Sequence, residues 1–276
     1  MKSGFSIAPP RYTKAQIIQK ADALIRRYEH IVGPNVLRRV GLSFDDIYHR
    51  VIQPEYGIGF SEEHDLGHDV LGCYNPVPHD MNVNARMGRS TGDPRRAWTC
   101  WHELGHAILH GPWLDACIDA GLQSANIVTT EEGLTAHVEN TLEWQANIFA
   151  AHASAPRWLI DELIYEAFAL LDRPLHFQGP AYYDFYVRDR DRPHQYVASF
   201  DEYCKRIATF IRCRFWGLSV ESLSYRVRES PIVGDVSRQS GVLNRQPPAR
   251  TARRVSRTGL LRRTVRQAAD AMLVPG

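Results

Sequence analysis

The chain has 276 residues, 44% hydrophobic, 10% aromatic and 23% charged, enough apolar material for a packed core and no 18-residue apolar run to span a membrane. Its net charge of +2 is uneven: nine arginines and two aspartates put residues 231–276 at +7 and leave residues 1–230 at −5. The five cysteines (Cys73, Cys100, Cys117, Cys204, Cys213) are odd in number and show no CxxC spacing, which argues against a disulfide scaffold or cysteine-based zinc site and for a reducing, cytoplasmic setting.

The opening Met1-Lys-Ser-Gly-Phe5 lacks the apolar stretch of a secretion signal. Thr13 and Gln16 have the spacing of a capping box, and Ile17, Ile18, Ala21, Leu24, Ile25 and Tyr28 follow at helical spacing up to Gly33. Ser43 opens a second amphipathic helix carrying Phe44, Ile47, Tyr48, Val51 and Ile52, with Pro54 as its expected stop. Three strand-like pieces at 57–60, 70–74 and 81–85 predict a small antiparallel sheet. Asp93 and Pro94 start a helix that is expected to run to His110, where Gly111 and Pro112 end it. Further helices are predicted over 142–153, from Pro156, over 200–215 and over 219–228, with an irregular excursion at 174–196. Residues 200–228 also read as a helix-turn-helix, although Arg226 and Arg228 are the only cations on its second helix.

The segment His102-Glu103-Leu104-Gly105-His106 carries the chemistry. Residues four apart on a helix differ by about 40° in direction, so His102 and His106 present their rings side by side, as two ligands of one tetrahedral zinc require. Glu103 lies roughly 100° away, free to act as general base. A metzincin-type third histidine six residues on is excluded by Pro112, and His110 reads as a helix-end residue. The third ligand is Glu143 or its rival one turn earlier, Glu139, with Glu131 and Glu132 further alternatives; Asn147 is placed to support a ligand from behind. His152, Arg157, Tyr182 and Tyr183 are candidate donors to a reaction oxyanion.

Thr99, the HExxH, His110 four residues later and the run Glu143-Trp-Gln-Ala-Asn-Ile-Phe-Ala-Ala151 together resemble the ImmA/IrrE metallopeptidase family, with its ExxAN-x-FAA helix. Residues 216–226 are similar to a distal segment of the same family, and the likeness covers about residues 13–230. The chain departs from the family after Ala151, in the length between His106 and Glu143, and at 174–196. The resemblance implies an α+β, gluzincin-like core: mainly helical, with a small antiparallel sheet preceding the HExxH helix and a helical C-terminal region. It implies Zn2+ on His102, His106 and Glu143, catalysis by Glu103, and cleavage of a helix-turn-helix repressor in a stress or mobile-element response. The expected organisation is a peptidase domain over 1–172, a helical subdomain over 173–230 and a partly disordered arginine-rich tail over 231–276. That tail would contact nucleic acid or an acidic surface. The competing expectation is a regulatory DNA- or protein-binding module whose zinc is structural or supports no turnover.

Overall fold

In the computed structural model Thr13 Oγ1 accepts from the backbone N–H of Gln16, while Gln16 Oε1 accepts from that of Thr13, and this reciprocal box starts helix α1 (Lys14–Val32). The structure describes residues 9–87, 92–120, 127–130, 141–168, 175–185 and 194–237. On α1 the buried positions are Ile17, Ala21, Leu24, Ile25 and Tyr28, the expected apolar stripe. Gly33 ends it at φ 86°, with its N–H on the Glu29 carbonyl, and at once begins a short α2 (Pro34–Val40) that the periodicity did not signal. Helix α3 (Phe44–Ile47) widens into a π-helical stretch, Tyr48–Tyr56, which passes Pro54 and stops at Gly57. The proline therefore does not end the helix as expected. A wider turn takes the preceding carbonyl out of the path of the ring.

Strands β1 (Gly59–Ser61), β2 (Val70–Asn75), β3 (Asp80–Val83) and β4 (Ile127–Thr130) form one sheet in the order β1-β3-β2-β4. The expected antiparallel sheet is corrected in two respects. Strand β1 runs parallel to β3, and β4 comes after the HExxH helix in the chain. Within this sheet the β2–β3 and β2–β4 pairs are antiparallel. Alternation within a strand carries no information about its neighbour, so order and direction are set by packing.

Helix α4 (Pro94–Asp119) begins as expected, with Asp93 Oδ1 accepting from Arg95 N–H and Pro94 in the first turn. It does not end at Gly111-Pro112: burial of Leu114 and Cys117 beyond the proline keeps the second half in line with the first. Helix α5 (Thr141–Ser154) lies against α4, and Gly105 sets the distance. A Cβ at Gly105 would sit 3.1 Å from both Cα and O of Ala146, so the backbones approach as closely as glycine permits.

Helix α6 (Arg157–Phe168), α7 (Phe200–Ile211) and α8 (Val220–Arg228) complete the helical layer. Within the expected irregular excursion, β5 (Leu175–Phe177) pairs in parallel with β8 (Val233–Asp235), and β6 (Ala181–Asp184) pairs antiparallel with β7 (His194–Val197). One continuous core joins α1 to β8, including residues on both sides of the expected division at 172/173. The boundary expected near 231 also moves, because buried Val233 and the β5–β8 pairing attach residues 231–237 to the body. The remaining arginine-rich tail lies outside the described residues. Among the described residues, no helix is long and apolar enough to cross a membrane.

Candidate metal centre

Helices α4 and α5 run antiparallel, so successive turns of one meet successive turns of the other as rungs. On the first rung His106 Nε2 lies 3.2 Å from Glu143 Oε1, and on the second His102 Nδ1 lies 3.0 Å from Asn147 Oδ1. Between the rungs, His102 Nε2 is 3.0 Å from Glu143 Oε2 and 2.9 Å from His106 Nε2. His102, His106 and Glu143 thus form a buried group that can hold a metal ion.

The donor chemistry fits a cation. A tetrahedron with bonds near 2.0–2.1 Å has edges of about 3.3 Å, close to the observed separations. Asn147 Oδ1 is an acceptor, so His102 carries its proton on Nδ1 and turns the Nε2 lone pair inward. His106 Nδ1 lies 3.0 Å from His110 Nδ1, and with His106 as donor its Nε2 lone pair also points inward. Two lone pairs and a carboxylate converging in a buried space repel unless a positive charge lies among them. A proton can supply that charge when no metal does. Burial opposes charge on His102, yet Glu143 and Glu103 raise its pKa above the ordinary value. Burial and the neighbouring His102 push His106 down to about 4. Burial would raise the Glu143 carboxyl, but hydrogen bonds from both histidines hold it well below the usual carboxylate range.

No protein-family model matches this chain, and comparison with characterised proteins returns no significant match. The centre is therefore read from its own geometry.

Glu103 is fully buried against β2, where a Cβ on Gly72 would lie 3.0 Å from both Cγ and Oε1 of Glu103 and 2.7 Å from Thr99 Cγ2. Burial, then the Glu103 charge, pushes the neighbouring Cys73 thiol up to about 11. The glycine in β2 leaves the room this carboxylate occupies, and the sequence reading missed it because one glycine in a strand has many uses.

The structure brings together His102, Glu103, His106, Glu143 and Asn147, while Glu131, Glu132 and Glu139 lie outside the described residues. His110 is not at a helix end: it is buried in mid-helix on the back of His106. Burial and the adjacent His106 lower it to about 3, so it stays neutral and can accept. Gln145, also missed, is buried on α5 and donates through Nε2 to the Pro10 carbonyl at 2.9 Å.

Two of the candidate oxyanion donors, His152 and Tyr183, have other partners. His152 Nδ1 lies 3.0 Å from Arg226 Nη2, and with Arg157 it lines a separate cavity that also includes Lys14 and Asp22. Tyr183 Oη donates to the Gly179 carbonyl and accepts from Gln178 N–H, and Tyr182 is exposed. In the helix-turn-helix reading both cations are engaged: Arg226 is buried among Ala155, His152 and Glu229, and Arg228 pairs with Asp201.

Proposed function

We propose that this protein is a cytoplasmic zinc-dependent endopeptidase with the gluzincin-like core of the ImmA/IrrE peptidases. The single observation that carries this reading is the convergence of His102 Nε2, His106 Nε2 and Glu143 at 2.9–3.2 Å, with Glu103 beside His102 in sequence and buried at the same place. Two imidazoles and one carboxylate are the ligand set of a catalytic zinc site, whereas a structural site takes four protein ligands. Among the described residues, the group contains three.

When bound, zinc supplies Lewis acidity that polarises a peptide carbonyl and acidifies water toward neutral pH. Asn147 fixes the His102 ring, and His110 holds the tautomer of His106, so both rings are oriented before any substrate arrives. Glu103 takes the proton of the attacking water and delivers it to the leaving amine. Its buried position against Gly72 excludes bulk water from that transfer. The proposed substrate, a helix-turn-helix repressor, rests on the sequence resemblance.

The test is metal analysis paired with proteolysis. Wild-type protein should carry one zinc per chain, and His102→Ala and Glu143→Ala should lose it. Glu103→Gln should keep the zinc and the fold but lose at least about 1,000-fold in peptide cleavage, because an amide cannot accept the proton. Retained cleavage by Glu103→Gln, or retained metal in Glu143→Ala, would reject the assignment.

A further inference from the structure

The two rungs that build the metal centre have a third, one turn further along each helix. The series runs from His106 with Glu143, through His102 with Asn147, to Trp98 with Ala151. Trp98 and Ala151 make no polar pair. They are two walls of one cavity of about 200 Å³, closed on its other sides by Ser154, Ala155, Leu218, Ser222, Tyr225 and Arg226. Resting on the endopeptidase reading above, we infer that this cavity is a specificity pocket for one large apolar side chain of the peptide substrate.

Size, chemistry and position agree. Small-molecule and cofactor sites usually run from about 300 to 1,000 Å³, so this cavity is too small for them and suits a single side chain. Two of its polar neighbours have partners: Ser222 Oγ is 2.9 Å from Ser219 Oγ, and Arg226 donates to the Ala155 carbonyl. An aliphatic or aromatic group that enters therefore does not compete for the Ser222 hydroxyl or the Arg226 guanidinium. Trp98 is half-buried and Tyr225 is 61% exposed, which leaves the aromatic wall of the pocket open at the surface. The metal centre lies between the first two rungs, about one and a half turns or 8 Å from the third, and an extended peptide advances about 3.3 Å per residue, so the pocket meets a side chain two to three residues from the bond being cut. Helix α8 thereby lines a substrate site through Ser222, Tyr225 and Arg226, whose guanidinium is held by the Ala155 carbonyl, while Arg228 pairs with Asp201 on α7.

The probe is a set of hexapeptides in which one position, scanned from three residues before to three residues after the scissile bond, carries Gly, Leu, Phe or Asp. Wild-type enzyme should favour Leu or Phe over Gly by about 10–100-fold in kcat/KM at one of these positions. Ala151→Phe, which fills the cavity, should erase that preference while keeping full zinc content. Tyr225→Ala, at an exposed position, should weaken it mainly through KM. Binding gives a readout independent of turnover. Calorimetry on zinc-loaded Glu103→Gln should show the Leu peptide bound about tenfold tighter than the Gly peptide, a difference lost when Ala151→Phe is added. Equal binding of Leu and Gly peptides, or a preference that survives both pocket variants, overturns the pocket. A wild-type enzyme that cleaves no peptide sinks the endopeptidase reading, and the binding comparison still decides the pocket.

Discussion

A histidine that ligates through Nε2 must place the proton on its Nδ1 somewhere, and for buried His106 that place is His110 Nδ1, 3.0 Å away. The proton of His110 is then on Nε2, and its ring interacts with the buried Gln145 side chain. His110→Leu should leave the His106 N–H orphaned and weaken zinc binding by about 10–100-fold in chelator competition, whereas His110→Gln, which still offers an acceptor, should retain most of the affinity. Equal affinities for the two variants would remove His110 from the metal's support. Spacing alone revealed His102, Glu103 and His106, since four residues on a helix fix a direction. It could not choose among four glutamates, because the third ligand depends on how α5 is seated on α4, and Gly105 governs that contact. A second residue-scale consequence concerns His152, which burial and the Arg226 charge push down to about 3. An unfolded chain protonates this histidine near pH 6.5 and the folded chain does not until about pH 3. Its contribution to stability is complete above pH 6.5 and falls as pH drops below it. Urea midpoints of His152→Gln should show a flatter dependence between pH 6.5 and 4 than wild type.

Elements were legible where one face is buried and opaque where the signal is tertiary. The stripe on α1, the cap on Asp93 and the run from Glu143 each follow from local chemistry, and the structure keeps them. The parallel seat of β1, the passage of α4 through Pro112 and the pairing of β5 with β8 depend on partners distant in sequence. The junction of β2 with α4 offers a direct test. Gly72→Ala would put a methyl 2.7 Å from Thr99 Cγ2, a short branched group that cannot swing aside, and 3.0 Å from Glu103 Oε1. Strand and helix must separate, so the variant should lose about 1–3 kcal/mol in denaturant unfolding. Its cleavage rate should fall while zinc remains bound, since the strain falls on Glu103 and not on the ligands. Wild-type stability and rate together would show that the strand moves freely there.

For the whole molecule, the charge changes sign near residue 231, but residues 231–237 still belong to the body. Ser230 Oγ donates to Asp161 on α6, Val233 is buried, and β8 continues the pairing with β5 through Asp235. Charge composition could not see this, because Pro231-Ile-Val-Gly234 carries no charge and joins the body by apolar burial and backbone pairing. Two truncations separate the contributions. A chain ending at Ser237 should unfold within about 0.5 kcal/mol of the full chain and keep one zinc. A chain ending at Glu229 loses the burial of Val233, worth about 1.5–3 kcal/mol, together with the Ser230 bond, worth about 1 kcal/mol. It should therefore unfold roughly 3 kcal/mol sooner while its ligand set stays complete. Both should lose whatever salt-sensitive retention on a polyanion column the full chain shows, because both lack the arginine-rich segment. If the chain ending at Glu229 is as stable as the one ending at Ser237, β8 is dispensable and the boundary belongs where the charge changes sign.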